Sequence, residues 1–458
     1  MSESAEKLPA PMGDKLFAPV DAASLGAFRI LFGALMLWEV YETFRTGHIR
    51  RYYIDAEVLF PYELFPFVRP WPGWGMYVHF TLMGVGAAGI LLGLFYRFSA
   101  ALFLFTYSYA FLLDKGCYNN HYYLIILLSF LMLVVDANRW ASLDQWRRPR
   151  PEVVPFWNLF LLRTQIVVVF FFGGIAKLNP DWLSGEPMRT WLATRSMPPW
   201  LAPWLRTEAA AYFFSWGGML FDLLVGFFLL SRRLLPVALV GLIAFNLTNH
   251  WLFHIGVFPF LVLATAVLFE TPDFPRRLLR RPAADVRGQS FRRSTAVLAF
   301  VAVYVAVQLL VPLRHWLYPG EVSWTEEGHR FSWHMKLRSK KGKVVFWVTD
   351  PASGKTWRVE PTMDLTSPQR RRFKSSPDMI LQYAHHLREQ LRAQGIENPI
   401  VRADAWLSLN RRSPQTLIDP DVDLAQTEWK VLAPAAWIVP LDERAEAGSV
   451  PLSEYRKF

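Results

Sequence analysis

The sequence contains few of the residues on which disulfide-stabilised, metal-cluster and ordinary soluble proteins depend. A single cysteine, Cys117, occurs in 458 residues, so neither an intrachain disulfide nor a cysteine metal cluster can form. We interpret Cys117 as a small packing residue. Only 19% of the residues are charged, whereas soluble domains usually have about 25%. These shortages exclude a disulfide-rich secreted domain and argue against a soluble enzyme.

Apolar and aromatic residues are abundant instead, at 53% and 16% of the chain. Stretches near the length of about 20 residues that spans a bilayer recur through the first two thirds. We therefore predict a polytopic α-helical membrane bundle of about nine spans. The first span is expected to act as the insertion signal, because the segment before it has no cleavable signal pattern. The predicted spans are Ala23–Phe44, Gly75–Phe95, Ser99–Leu113, His121–Val135, Phe156–Ala176, Ala209–Leu230, Leu235–Phe253, Gly256–Phe269 and Thr295–Val311.

From Arg314 onwards the composition becomes that of a soluble domain. Residues 344–359 have the pattern of a β-hairpin, residues 376–395 that of a capped helix, and residues 401–409 that of a half-buried strand. The tail is therefore predicted to be a small β-rich or α+β domain. The expected divisions are a cytoplasmic tail at 1–22, a transmembrane domain at 23–312 and an extracytoplasmic domain at 313–458.

The distribution of positive charge predicts the orientation. The formal net charge is +11. With a cytoplasmic N-terminus, the inside segments hold 16 lysines and arginines and the outside loops hold 9, which is the bias expected of a membrane protein. An odd number of spans then places the C-terminal domain outside the cytoplasm. No nucleic-acid partner is expected, because the arginines lie beside spans and do not cover one soluble face.

Lys177 is the most informative ionisable residue, because it ends a long apolar run at the mouth of a predicted span. A lysine there is either an anchor that extends its ammonium to the membrane surface or a desolvated amine that acts as a base. Ionisable residues within spans are costly and mark functional sites. The sequence alone leaves both interpretations open.

Topology brings other polar residues to the same rim as Lys177. The fourth span begins at His121, and the seventh ends near Asn249 and His250, so all of these positions lie at outer span ends. His121 is either a catalytic partner of Lys177 or a residue that caps its helix. His250 and His254 are four residues apart and could share a helix face as metal ligands. Without an obvious third ligand we predict no metal.

Other charged residues lie inside predicted spans, among them Arg29 and Glu39 of the first span. We interpret Arg163 and Asp222 as structural ion partners buried within the bundle.

Long motifs in both halves of the chain resemble vitamin K-dependent gamma-carboxylase and its bacterial homologues with the HTTM (horizontally transferred transmembrane) domain. The resemblance extends from about Asp21 to about Leu441. The motifs that carry it are Phe28–Gly33, Phe111–Lys115, Tyr118–His121, Asp136–Asn138, Ala176–Trp182, Phe253–Pro259, Phe331–Trp333, Trp406–Asn410 and Asp419–Asp423. The residue after Ser-Trp departs from the family pattern, because His334 stands where the family has aspartate.

The resemblance implies a γ-glutamyl carboxylase that is coupled to quinol epoxidation. The family lysine falls on Lys177 and its activating histidine on His121. The implied cofactor is reduced vitamin K, as phylloquinol or menaquinol, with O2 and CO2 as co-substrates. The lysine deprotonates the hydroquinone, reaction with O2 produces a strong base that removes a γ-proton from glutamate, and CO2 captures the carbanion. The expected partners are a glutamate-containing peptide or protein, the quinone and membrane lipid.

Further site residues are assigned from the shared rim and from the resemblance. The quinol-binding residues are predicted to be Asn119, Asn120, Asn249 and His250. The segment Phe331–Ser339 matches the region of the glutamyl site, so Phe331, Trp333 and Arg338 are predicted to bind that substrate.

Three alternative functions remain open from the sequence. One is a quinol epoxidase that does not carboxylate. A second is a non-catalytic membrane protein that binds lipid or peptide, and a third is a transporter. Lys177 and His121 favour an enzyme, and the lack of an inverted repeat argues against a transporter.

Overall fold

The computed structural model describes residues 12–253, 256–361 and 364–456. Its first two thirds form a bundle of long apolar helices, and the remainder forms a small domain with a four-stranded sheet. The helices of the bundle are α1 Ala23–Arg45, α2 Gly75–Leu92, α3 Tyr96–Leu112, α4 Asn120–Val134, α5 Trp157–Ile175, α6 Glu186–Thr194, α7 Glu208–Leu230, α8 Leu235–Phe253, α9 Phe258–Thr265 and α10 Thr295–Leu313.

Helical segments occupy all nine positions at which spans were predicted, with ends that differ by a few residues. Within the described residues, six helices (α1, α2, α5, α7, α8 and α10) are long and apolar enough to cross a membrane. Helix α4 and the stretch that begins with α9 are apolar but shorter, and α3 has 17 residues. The chain is a multi-pass membrane protein, but the count of nine spans is not confirmed. The argument from parity for its orientation needs an odd number of spans, which the six long helices alone do not give.

The bundle is closed on the N-terminal side of α1 by a two-stranded ribbon. Strand β1, Pro19–Asp21, pairs antiparallel with β2, Val153–Pro155. The buried Arg29 of α1 donates to the carbonyl oxygens of Ile90, Leu91, Ala137 and Ala141. This arginine therefore ties α1 to neighbouring segments, and its buried charge is satisfied by backbone oxygens.

The tail domain has one antiparallel sheet in the order β4-β3-β5-β6, packed on a helix. Its elements are β3 Lys340–Thr349, β4 Thr356–Val359, α11 Ser367–Phe373, α12 Pro377–Ala393, β5 Ile400–Leu409 and β6 Gln415–Thr416. Alternate residues of β5 from Val401 to Leu409 are buried, as the sequence pattern predicted. Phe346, Tyr383 and Ala403 lie in the core between sheet and helix. The expectation of a small sheet-containing domain is confirmed.

Among the ion pairs that attach the tail to the bundle, two sets are the most extensive. In the first, Lys115 follows α3 and its Nζ lies 2.8 Å from Oδ2 of Asp378 at the start of α12, while Arg330 contacts the same carboxylate at 2.7 Å. In the second, both terminal nitrogens of Arg412 bind Asp181, at 2.6 and 2.8 Å. Bidentate and buried pairs of this kind fix orientation, so the tail is held in one position over the bundle.

The shorter helical turns complete the described chain. They are Met12–Leu16, Arg50–Ile54, Lys115–Cys117, Ala137–Arg139, Leu143–Arg147, Pro180–Leu183, Ala202–Leu205, Ala266–Leu268, Phe274–Leu278, Arg314–Leu317, Val322–Thr325 and Leu452–Tyr455.

Candidate functional site

A large cavity lies where the bundle meets the tail domain. Its volume is about 1410 Å³, and residues of both regions line it. One side is apolar, with Ile166, Val169 and Phe170 of α5 facing Phe221 and Phe245 from α7 and α8. The other side is polar and rich in basic residues. A second cavity of about 290 Å³ on the tail contains none of the predicted site residues.

Lys177 lies in the wall of the large cavity, just after the end of α5. Its side chain is buried, and Nζ lies 2.5 Å from Oδ2 of Asp222 on α7 and 3.0 Å from the carbonyl oxygen of Gly173. The indole of Trp182 lies beside it, with its centroid 5.4 Å from Nζ. An anchoring lysine would extend its amine to the surface, but this amine is turned into the protein.

Glycines allow α5 and α7 to approach closely enough for this pair to form. A Cβ atom on Gly174 would lie 2.7 Å from the backbone nitrogen of Leu223, and one on Gly226 would lie 3.1 Å from Cα of Val167. Small residues at helix interfaces permit such backbone contact in membranes. The Gly173-Gly174 pair before Lys177 therefore brings the lysine and Asp222 together.

Asp222 is the residue whose role the sequence did not predict. The expectation of an ion partner within the bundle fits its position, but its partner is the candidate base itself. Arg163 is not an ion partner within the described residues, because it donates to the carbonyl oxygens of Leu268 and Glu270. The sequence did contain a signal for this pairing, because an ionisable side chain within an apolar helix needs a polar partner, and the amine of Lys177 is buried in the same bundle.

His121, at the start of α4, lines the same cavity as Lys177. Its ring packs against Tyr122 at 4.6 Å and Phe258 at 5.5 Å between centroids. No hydrogen bond joins it to Lys177 in the part of the chain that the structure describes. Any effect of His121 on the lysine would therefore pass through a ligand, water or the shared electrostatic environment.

The four residues predicted to bind the quinol have different surroundings. Asn119 and Asn249 line the cavity and make no side-chain hydrogen bond within the described residues. Asn120 also lines it, but its amide is used internally, accepting from Tyr118 at 2.9 Å and donating to the carbonyl oxygen of His334 at 3.0 Å. His250 is exposed, packs against Phe260 and is not part of the cavity wall. The structure brings three of the four to the cavity.

The predicted glutamyl-binding residues also differ in whether they line the cavity. Arg338 lines the cavity and forms ion pairs or hydrogen bonds with Glu326 and His329. Phe331 packs among aromatic rings, and Trp333 is buried with its ring 5.0 Å from that of Tyr123. Neither of these two residues lines the cavity. Substrate contact stays a prediction for all three, and the geometry favours it only for Arg338.

The polar side of the cavity is formed largely by the segment before β3 and by α11. Burial, with the nearby His315 and Arg338, lowers the pKa of His334 to about 3. Burial and Arg338 likewise hold the pKa of His329 well below its usual range. Burial lowers the pKa of Lys340 to about 8, although its ion pair with Glu326 opposes the shift. Near pH 7 the two histidines are neutral, so the positive charge there comes from lysines and arginines.

The suggested metal ligands do not form a site among the described residues. His254 lies outside them, and His250 points away from the cavity. The described ranges contain no group of three or more histidine, cysteine, aspartate or glutamate side chains placed to hold a metal ion.

Comparison with known protein families gives two matches that together cover most of the chain. A family model of the HTTM domain matches residues 17–274. A family model described as the lumenal domain of vitamin K-dependent gamma-carboxylase matches residues 293–444. No solved structure matches the chain. The boundary between the two matches falls just before α10, close to the change in composition.

Proposed function

Because this chain belongs to the vitamin K-dependent gamma-carboxylase family, we propose that it is a γ-glutamyl carboxylase coupled to quinol epoxidation, with Lys177 as the initiating base. The family implies a requirement for reduced vitamin K and a glutamate-containing protein substrate. One observation carries the proposal for this chain. The amine of Lys177 is buried, hydrogen-bonded to Asp222 and placed in the wall of a deep cavity.

The cavity is suited to a quinol with an apolar tail. Ligand pockets usually measure about 300–1,000 Å³, so the volume of about 1410 Å³ leaves room for a quinol and a peptide side chain together. The aromatic and aliphatic surface from α5, α7 and α8 would hold the ring and tail. The polar surface around His121 and Asn119 would face the quinol hydroxyl groups.

Residues of this chain would begin the reaction and keep water away from it. When bound, the reduced quinone would supply with O2 the strong base that removes the γ-proton, and CO2 would add to the resulting carbanion. Nζ of Lys177 takes a proton from the quinol hydroxyl group, which requires the neutral amine. The ammonium that forms is then paired by Asp222. The apolar walls exclude water, which would otherwise protonate the strong base.

His121, Asn119 and Asn249 would orient the quinol. All three line the cavity with Lys177, the two amides make no side-chain hydrogen bond within the described ranges, and each group can hydrogen-bond a hydroxyl group. Positioning of this kind brings the hydroxyl proton within reach of the base. Asn120 would support the site indirectly, because its side-chain amide donates a hydrogen bond to the backbone carbonyl oxygen of His334.

A second candidate function is quinol epoxidation without carboxylation. It is favoured by the positions of Phe331 and Trp333, two predicted substrate contacts that lie behind the cavity wall. In that case Lys177 and Asp222 would perform the same first step, and no glutamyl side chain would enter.

The decisive experiment measures the two products separately. Purified full-length protein is incubated with reduced vitamin K, bicarbonate, O2 and a glutamyl peptide, and the epoxide and the carboxylated peptide are quantified. Both products are expected. Epoxide alone would support the second candidate, and the absence of both in a well-folded, quinone-binding protein would refute the proposed chemistry.

We also propose that the N-terminus is cytoplasmic and that the tail domain is extracytoplasmic. The positive-charge bias supports this orientation, as does the match to a lumenal domain. Ser353 is exposed in the β3–β4 turn, so a S353C variant in a C117A background should react with an impermeant thiol reagent in intact cells. Labelling only after cell lysis would reverse the orientation.

A further inference from the structure

The smaller cavity on the tail domain lies beside the first half of β3, and we call it the tail pocket. Its walls come from Lys341–Val344 of β3, from Glu360 and Pro361 after β4, from Phe373 of α11 and from Trp406 of β5. Its volume is about 290 Å³, and none of its described lining residues also lines the large cavity. The mechanism proposed above uses no residue of this pocket.

The first half of β3 has a strand partner on only one side among the described residues. Strand β5 pairs with β3 from Lys340 to Thr349, whereas β4 pairs only with Phe346–Thr349. The residue that would come opposite Val344 if β4 continued is Pro361, which has no N–H to donate. Residues 340–345 therefore form an open edge of the sheet, on the side where β4 ends.

The register shows which backbone groups of β3 point to this open edge. Just before β3, the N–H of Asn410 donates to the carbonyl oxygen of Ser339, whereas the N–H of Asp350 points to the β4 side. Hydrogen-bonded and non-bonded pairs alternate in an antiparallel ladder, so the odd-numbered residues of β3 bond to β5 and the even-numbered residues face the other side. The N–H and C=O groups of Gly342 and Val344 therefore point out of the open edge, and no described backbone group pairs with them there.

Positive charge surrounds the open edge. Lys341 and Lys343 come from β3 itself, and Arg370 and Lys374 come from α11 on the opposite wall. Glu360 is the acidic residue among the described lining residues, and its Oε1 lies 3.8 Å from Nζ of Lys343. A second copy of the same edge would place lysines against lysines, which is unfavourable. The excess of cations instead favours an acidic partner.

The two faces of β3 differ at this edge. Gly342 and Val344 lie on the buried face, where Val344 packs in one core with Phe373, and Lys341 and Lys343 lie on the other face. Side chains directly opposite each other on neighbouring strands share a face of the sheet. A strand added here would therefore place apolar residues opposite Gly342 and Val344 and acidic residues opposite the two lysines.

We propose that the open edge of β3 binds an extended, acidic segment of a partner polypeptide by antiparallel strand addition. The backbone of the segment would pair with the N–H and C=O groups of Gly342 and Val344. Its apolar side chains would enter the tail pocket, and its acidic side chains would meet the basic residues. Main-chain hydrogen bonds supply affinity in this mode of recognition, and pockets for alternate side chains supply specificity. The surface lies outside the large cavity, so the proposal does not rest on the proposed function.

The first test asks whether a bound peptide pairs as a strand. The probe is a short fluorescent peptide that alternates valine and glutamate, and its binding to purified full-length protein is measured by anisotropy. Two derivatives carry N-methyl groups, one on each valine and the other on each glutamate. In the proposed register the valine amides face Gly342 and Val344, so methylation of the valines should weaken binding about 10-fold or more. Methylation of the glutamates, whose amides point away from β3, should be tolerated.

The second test reverses the charge of the pocket. K343E/K374E should weaken binding of the acidic peptide about 10-fold, through loss and reversal of exposed ion pairs, and should favour a peptide with lysine in place of glutamate. K355E/K430E is the matched control, because both of its lysines are exposed on the tail and neither lines the pocket. Thermal midpoints of both variants should stay near that of wild type, since none of the four lysines is buried.

The outcomes separate strand addition from general attraction between charges. Equal loss of binding with the two methylated peptides, or equal weakening by the two double variants, would overturn the proposal. Folded wild-type protein that does not bind the alternating peptide would overturn it as well. Protein that binds the peptide as expected but forms neither epoxide nor carboxylated product would refute the proposed function alone.

Discussion

Lys115 and Lys177 are both buried near the junction of the bundle and the tail, and their environments differ. Lys115 is fully buried, and its Nζ contacts two carboxylates, those of Glu63 and Asp378. Lys177 has one carboxylate partner, Asp222, together with a backbone carbonyl oxygen. Only Lys177 lines the large cavity.

This difference shows that burial alone does not identify a catalytic lysine. Lys115 is enclosed by two carboxylates and does not line the cavity, so a ligand in the cavity does not reach its amine. Lys115 therefore fastens the tail to the bundle, through Asp378 and Arg330. Lys177 has a single acidic partner and an open side towards the cavity, so a ligand can exchange a proton with it.

The largest expected effect is the loss of activity when the amine of Lys177 is removed. K177A should lower epoxide formation by about 10³-fold or more, because it removes the amine that is proposed to take the quinol proton. The double variant K177M/D222N removes both charges together, so it should remain folded and be equally inactive. Epoxide assays together with size-exclusion profiles and quinone binding would check this. Wild-type activity in folded K177A would assign Lys177 a structural role like that of Lys115.

Removal of Lys115 should have the opposite result. K115M leaves two buried or half-buried carboxylates with less compensation, and breaking a buried pair costs about 3 kcal/mol or more. Thermal unfolding in detergent should show a clear loss of stability, and the activity of the protein that remains folded should be largely retained. A stable but inactive K115M would contradict the division of roles between the two lysines.

Removal of the His121 imidazole should have a smaller effect on activity than removal of Lys177. H121A should lower the rate of epoxide formation on the order of 10²-fold, as for loss of a positioned acid–base partner, and should shift the pH optimum. The measurement is a pH–rate profile of wild type and variant. An unchanged profile would indicate that His121 only caps α4.

The smallest effect concerns Asp114, which precedes Lys115. Burial raises its pKa to about 6, despite hydrogen bonds from Gly116 and Gln369. The folded protein then binds this proton more tightly than the unfolded chain does, so stability falls as pH rises from about 4 to about 6 and is constant above that. The change should be on the order of 2 kcal/mol. Thermal midpoints of D114N should be flatter across this window, and a slope equal to that of wild type would mean that another group titrates.

The sequence predicted the positions of helices better than the pairing of side chains. Apolar periodicity located nine helical segments and placed His121, Asn249 and Lys177 at helix ends that do meet at one cavity. It could not give the rotation of each helix about its axis. For this reason Asn249 lines the cavity while the adjacent His250 is exposed, and the partner of Asp222 was not predicted.

In the tail domain, too, the sequence predicted an element but not the directions of certain side chains, for a different reason. Alternation predicted β5, because a half-buried strand imposes a period of two. The segment from Phe331 to Lys336 has no such period, since three of its residues adopt left-handed conformations. The directions of Trp333 and His334 could therefore not be derived from spacing. Both are buried, and of the two only His334 lines the cavity.

The most direct measurement of the role of Lys177 is chemical rescue. K177A and K115M are assayed for epoxide formation from reduced vitamin K with increasing concentrations of small primary amines of different basicity. If the buried amine is the base, added amine should restore part of the activity of K177A, in proportion to the concentration of the neutral amine, and should not affect K115M. Failure of every amine to raise the activity of folded K177A, or equal stimulation of both variants, would contradict the assignment of Lys177 as the base.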